Sequence, residues 1–230
     1  MAKRVLLILL LAGMATLFFR IISGFDNNEE ISDLAYSMVT EAPSTLNTQN
    51  VITAIVVSMR GLDTLGEVAV LFIAASGVGF LLRRREKPAV RNRRNGSEIL
   101  QTGSKLLLPV IILFGVYIFT HGHLTPGGGF QGGVVIASAF LLTVLADVSA
   151  VINHRLLSAT ESLSGFFYVL LGITGFLLGG GILDSRFLPP GHFGTLVSAG
   201  AIPLIYSFIG IKVGTELTGI VLTMEEENTK

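Results

Sequence analysis

Leu124-Thr-Pro-Gly-Gly-Gly-Phe-Gln-Gly-Gly133 stands between two long apolar runs. So much Gly and Pro rules out an ordinary helix interior, where these residues cost about 1 and 3 kcal/mol each relative to Ala. At the mouth of a transmembrane hairpin, the same residues break, turn and close-pack the backbone. Composition agrees with such a hairpin. Of 230 residues, 50% are hydrophobic and 14% charged, and the mean hydropathy is +0.70. A soluble domain carries about 25% charged residues. The expected fold is therefore all-α: a polytopic membrane protein of about six transmembrane helices, with both termini cytoplasmic. The chain has no Cys, which excludes thiolate-held iron–sulfur clusters and disulfides. It has no Trp, so any interfacial aromatic belt falls to Phe and Tyr.

A spanning helix needs about 20 apolar residues. Val5–Ile22 is the first candidate, read as a retained helix because its apolar run continues through Phe18 and Phe19 with no small-x-small cleavage site behind it. Asp26–Asn50 holds Asp26, Glu29, Glu30, Asp33 and Glu41 with no Lys or Arg, and reads as an extramembrane loop with room for a short helix. Val51–Leu82 is too long for one straight crossing and is interrupted by Arg60, Asp63 and Glu67. A basic loop follows, with Arg83, Arg84, Arg85, Lys87, Arg91, Arg93 and Arg94. Ile99–Thr120, Phe130–Ile152, Leu163–Leu183 and Gly194–Leu222 complete the spans, and Pro203 is expected to kink the last. The Lys and Arg distribution puts the basic loop, Arg155 and the tail in the cytoplasm, and His121–Pro126 and Asp184–His192 outside. The basic loop reads as a topological anchor, with no nucleic-acid role. Leu188-Pro-Pro-Gly-His-Phe193 weakly echoes Leu124–Phe130, as two similar outer turns would. The segments divide as 1–82, 83–98, 99–223 and an acidic tail 224–230.

Ionisable groups inside a membrane are expensive and usually face partners, water or an ion route. Arg60-Gly-Leu-Asp-Thr-Leu-Gly-Glu67 places Arg60, Asp63 (or Thr64) and Glu67 along one helical face. Glu67 falls about 22 Å from the cytoplasmic end of its span at 1.5 Å per residue. It is either a carboxylate in a proton or sodium route or a group bonded to a neighbouring subunit, while Arg60 and Asp63 suit a structural pair. Lys212 and Glu216, at i and i+4, form a second pair near the cytoplasmic end of the last span, as a salt bridge or a proton relay. His121, His123 and His192 share the outer side but lack the spacing of a metal site. Asp147 lies near the inner end of the fourth span, with His154 and Arg155 interfacial. Pro126, Gly127, Gly128, Gly129, Gly132 and Gly133 suit close helix packing or a broken helix start with amides facing a cavity. No Gly-Lys-Ser/Thr, Ser/His/Asp set or zinc signature is present, so no catalytic, cofactor or metal residue is expected.

Pro126-Gly-Gly-Gly-Phe-Gln-Gly-Gly133, with Gly210-Ile-Lys-Val-Gly-Thr-Glu216, resembles the MrpB/MnhB component of the Mrp/Mnh multisubunit sodium/proton antiporters over about Ser97–Thr223. Asn50–Glu67 resembles the C-terminal end of the large MrpA-type antiporter component. It also resembles the related small MbhE-like component of membrane-bound hydrogenases and their sulfur-reducing relatives, although Ser58-Met59 and Leu62 depart from the common form. The chain thus looks like a fusion of two components that are often separate, with its seam at Arg83–Ser97. The resemblance implies a non-catalytic subunit of a multi-pass cell-membrane complex that exchanges Na+ for H+. Its expected partners are other antiporter subunits and the lipid bilayer, and it needs no cofactor. One alternative is the same module within a redox-driven complex beside hydrogenase-like subunits. Another is a structural scaffold without ion contact.

Overall fold

A computed structural model describes residues 2–25, 31–83, 96–147, 150 and 152–229. Asp26, Glu29 and Glu30 of the acidic loop lie outside the described residues, as do Arg84, Arg85, Lys87, Arg91, Arg93 and Arg94 of the basic loop. The chain is helical: α1 (Ala2–Ser23), α2 (Asp33–Thr45), α3 (Val51–Thr53) running into a π-helical segment (Ala54–Met59), α4 (Gly61–Arg83), α5 (Glu98–Thr120), α6 (Gly129–Ala146), α7 (His154–Leu178), a 3₁₀ turn (Ser185–Phe187) and α8 (Ile202–Thr229). Six of them, α1 and α4 to α8, are long and apolar enough to cross a membrane.

Residues 1–36 and 37–230 form two compact units. The first is essentially α1, a mainly apolar helix whose charged residues are Lys3, Arg4 and Arg20. In the second, α8 is the most enclosed span and α4 the least. The core gathers Val57, Val68, Tyr168, Ile202, Ile205, Tyr206, Ile209 and Val213 from the π segment, α4, α7 and α8, with Leu183 from the turn after α7.

The glycines of the opening stretch let α5, α6 and α8 meet backbone to backbone. A Cβ on Gly132 would stand 2.6 Å from the Gly115 carbonyl, and one on Gly133 2.8 Å from the Gly210 carbonyl and from Val213 Cβ. On Gly129 it would meet Ile209 at 2.6 Å, and on Gly128 the Gln131 Oε1 at 2.8 Å. Small residues are the usual means of close helix approach in lipid, where no hydrophobic force draws helices together.

Four span boundaries differ from the sequence expectation. The Val51–Leu82 region breaks at Arg60, whose φ of −117° interrupts the helix between the π segment and α4. The fourth span stops at Ala146 because Asp147 is extended. The fifth begins at His154, nine residues earlier than expected, where the Asn153 side chain accepts from the amides of Arg155 and Leu156. The sixth begins only at Ile202, because positive φ at Gly194, Ala199 and Gly200 turns the preceding residues. Pro203 therefore sits in the first turn of α8, where proline is well tolerated, and does not kink the span. The echo between the two turns does not extend to geometry: α6 starts inside its motif, whereas turns separate Phe193 from α8.

Candidate functional site

Three polar layers cross the second unit. The first is a cap at the turn face, the end that carries residues 121–128 and 179–201. The His123 carbonyl accepts from the Thr48 hydroxyl at 2.6 Å and from the amides of Gln49 and Asn50. Asn50 Nδ2 donates to the carbonyls of Gly122 and Thr125, and the Thr53 hydroxyl donates to Gly122 at 2.7 Å. Tyr206 donates to Thr53 at 3.1 Å, which ties α8 to the cap. Asn47 Nδ2 reaches the carbonyls of Pro190 and Gly191. Nearby, Arg186 forks onto the buried Asp184 carboxylate, with Nε at 2.9 and 3.0 Å from its oxygens. Burial would raise the Asp184 pKa, but the Arg186 hydrogen bonds and charge outweigh it and hold the carboxyl below its usual range.

The three outer histidines separate. His121 stacks on Tyr117 with ring centroids 4.1 Å apart, and His192 is exposed. His123 is fully buried, its Nε2 lies 3.3 Å from the Thr195 carbonyl, and Nδ1 has no hydrogen-bond partner among the described residues. Among those residues no group of three or more His, Cys, Asp or Glu could hold a metal ion. Burial pushes the His123 pKa below 6.5, and the charge of His121 adds to this. The unfolded chain then takes up the proton first, so the stabilising contribution of a neutral His123 is full above pH 6.5 and declines as the pH falls below it. Asp184 acts in the same direction, losing its contribution only as the pH falls below 3.8. The melting temperature of the purified protein should therefore drop between pH 7.5 and 5.5. A His123→Gln variant should show a flatter slope over that range, whatever its absolute stability.

The second layer is on α4. Arg60 and Asp63 pair, with Nε at 2.6 Å from Oδ2, and both remain exposed. Thr64 is buried at 2% exposure, and its hydroxyl donates to the Val56 carbonyl of the π segment at 2.7 Å. That contact occupies Thr64 in holding the break together. Glu67 points elsewhere. It is exposed on the face that carries Val70 and Ile73, both about two-thirds exposed, while Thr64 and Val68 line the packed face. It lies late in the second turn of α4, about 9 Å into the span at 1.5 Å per residue. Tyr168 and Tyr206 lie within electrostatic range of its charge.

The third layer is buried between α4, α7 and α8. Lys212 is 8% exposed, and its Nζ lies 3.2 Å from Glu216 Oε2 and 3.7 Å from Glu161 Oε1. The Phe72 ring covers the ammonium at 5.2 Å. Because α8 begins at Ile202, Lys212 lies about 15 Å into its helix. That is the middle of a hydrocarbon core about 30 Å thick, not the cytoplasmic end that the sequence suggested. Glu161 escapes sequence reading because the fifth span is expected to begin only at Leu163; the Asn153 cap is the signal that draws it into α7. Lys105 stands 3.8 Å from Asp147 at the opposite face.

Six spanning helices with ionisable groups inside them define a polytopic helical membrane protein. The family described as a domain related to the MnhB subunit of the Na+/H+ antiporter matches residues 99–219. The chain belongs to that family. The MbhE family, described as one of the subunits of MBH, matches residues 2–96. An uncharacterized protein of Methanocaldococcus jannaschii is 31% identical over 207 residues, 77% of this chain and 78% of that protein. The B subunit of the Na(+)/H(+) antiporter of Bacillus subtilis is 34% identical over 104 residues, 43% of this chain and 71% of that one. Among solved structures, a chain of the membrane-bound sulfane sulfur reductase, an archaeal respiratory membrane complex, superposes with a TM-score of 0.75 at 44% identity. The match covers 97% of this chain and 98% of that one.

Proposed function

We propose that this chain is a non-catalytic subunit of a multisubunit Na+(cation)/H+ antiporter complex in the cell membrane, contributing both to ion translocation and to assembly. It needs no cofactor of its own; Na+ and H+ are cargo. The positive-inside distribution of Lys and Arg favours cytoplasmic termini. The observation that carries the reading is Glu67, a carboxylate on the exposed apolar face of a spanning helix. Facing lipid, an ionised carboxylate costs up to about 3 kcal/mol at the bilayer centre. Facing a neighbouring subunit, it supplies a charge to a shared route. Antiporter-subunit relatives support the transport reading.

Glu67→Gln keeps shape and removes charge. In inverted membrane vesicles it should lower sodium/proton exchange at least tenfold while the complex still purifies intact. Unchanged exchange would remove Glu67 from the route. A second reading places the same module in a redox-driven respiratory complex, and the likeness to the sulfane sulfur reductase chain over nearly the full length favours it. Mass spectrometry of proteins that co-purify with the tagged chain separates the two. Iron–sulfur or nickel proteins would point to the redox-driven host, and antiporter subunits alone to the exchanger.

A further inference from the structure

We infer that Lys212, Glu161 and Glu216 form a buried store for one proton, open to the face opposite the glycine turn. The inference deepens the ion-transport reading and rests on it for its role in turnover. The site carries two carboxylates and one ammonium, so it is one positive charge short. Glu216 is 3% exposed, and neither of its oxygens receives an aligned hydrogen bond among the described residues. An uncompensated charge that deep is expensive, which favours uptake of a proton.

Both carboxylate-bearing residues line a cavity of about 250 Å³ with Ser76, His154, Ser158 and Thr223. That is roomy enough for several waters, and its lining gives them polar partners. Glu161 lies about two turns into α7, about 10 Å from its start at the opposite face, and is partly exposed, so it sits nearer the mouth than Glu216. Toward the turn face the route closes on Tyr168, buried at 1%. Access is thus one-sided.

The occupant is a proton because the ammonium 3.2 Å away repels a metal cation. The proton arrives from the aqueous cavity and protonates a Glu216 oxygen, and Lys212 then keeps Glu161 as its counter-ion. When the proton leaves by the same mouth, Lys212 is shared by both carboxylates. The charged groups that face Glu216 are Lys212 on its own helix and Glu161 on α7. His154 on α7 lines the same cavity, and α4 contributes Phe72, Ala75 and Ser76 there.

Infrared pH-difference spectra of the intact complex in lipid test the count, reading the stretching band of a protonated carboxyl. The wild type should lose one such band per chain as the pH rises. Glu216→Gln should abolish it. Glu161→Gln, at the more exposed carboxylate, should abolish it too, because Lys212 and Glu216 then balance without a proton. If the band persists in both variants the store does not exist. If Na+ added at constant pH removes the wild-type band, the occupant is sodium and the proton assignment falls. Glu67→Gln should leave the band in place even where exchange is lost, so failure of the store and failure of the transport reading are separable.

Discussion

Lys212→Met should destabilise the folded protein by about 3–5 kcal/mol, the usual consequence of removing one partner from a buried ion pair. The penalty comes from what is left behind. Glu216 and Glu161 would share a pocket in mid-membrane with no cation, Phe72 closing over the gap where the ammonium stood. Methionine matches the lysine stem in length and adds no strain. The double variant Lys212→Met/Glu161→Gln removes the orphaned charge as well as the cation. It should recover most of the lost stability, since residues in direct contact do not behave additively. Denaturant titration of the purified protein in detergent measures both. A Lys212→Met protein as stable as wild type would show that the lysine compensates nothing.

Gly133→Val should prevent correct packing of the second unit, with a loss exceeding that of an ordinary overpacked core site, about 1–3 kcal/mol. A side chain there would strike the Gly210 carbonyl and Val213 of α8, and neither can retreat. The Gly210 carbonyl is backbone, and Val213 is buried in the core. Gly132→Val would drive into the Gly115 carbonyl and Phe119 on the opposite flank. The two substitutions attack different faces of α6, so each should separate a different helix pair. By contrast, Gly66→Ala on α4, where an added Cβ meets nothing within 4 Å, should be neutral or slightly stabilising. Size-exclusion profiles after detergent extraction give the comparison. Normal monodispersity of Gly133→Val would contradict the backbone-contact reading of the Pro126–Gly133 stretch.

The number of spans was legible in the sequence because about 20 uncharged residues have few other uses. The missing side chains at Gly129, Gly132 and Gly133 were visible in the sequence, but the neighbours an added Cβ would strike were not. Nor were the ends of the spans. Gly194–Ala201 contains Leu196, Val197, Ala199 and Ala201, apolar enough to pass for membrane, yet positive φ at Gly194, Ala199 and Gly200 turns it. That shift moved Lys212 from an interfacial, snorkelling position to mid-membrane and changed its meaning. Glu161 was invisible as a partner because it is distant in sequence from Lys212 and its helix seemed to start later. Thr64, grouped with Glu67 by helical spacing, is turned inward to the Val56 carbonyl. One residue in a span can brace the backbone while its neighbour three places on looks outward, and periodicity alone does not separate them.

In the proposed complex the Glu67 face of α4 meets another membrane subunit. A photo-crosslinking amino acid at Val70, one turn along the same exposed face, tests it in native membranes. Adducts with a second membrane protein, identified by mass spectrometry, are the predicted result. Adducts with lipid alone, in membranes where the assembled complex is present, would contradict it.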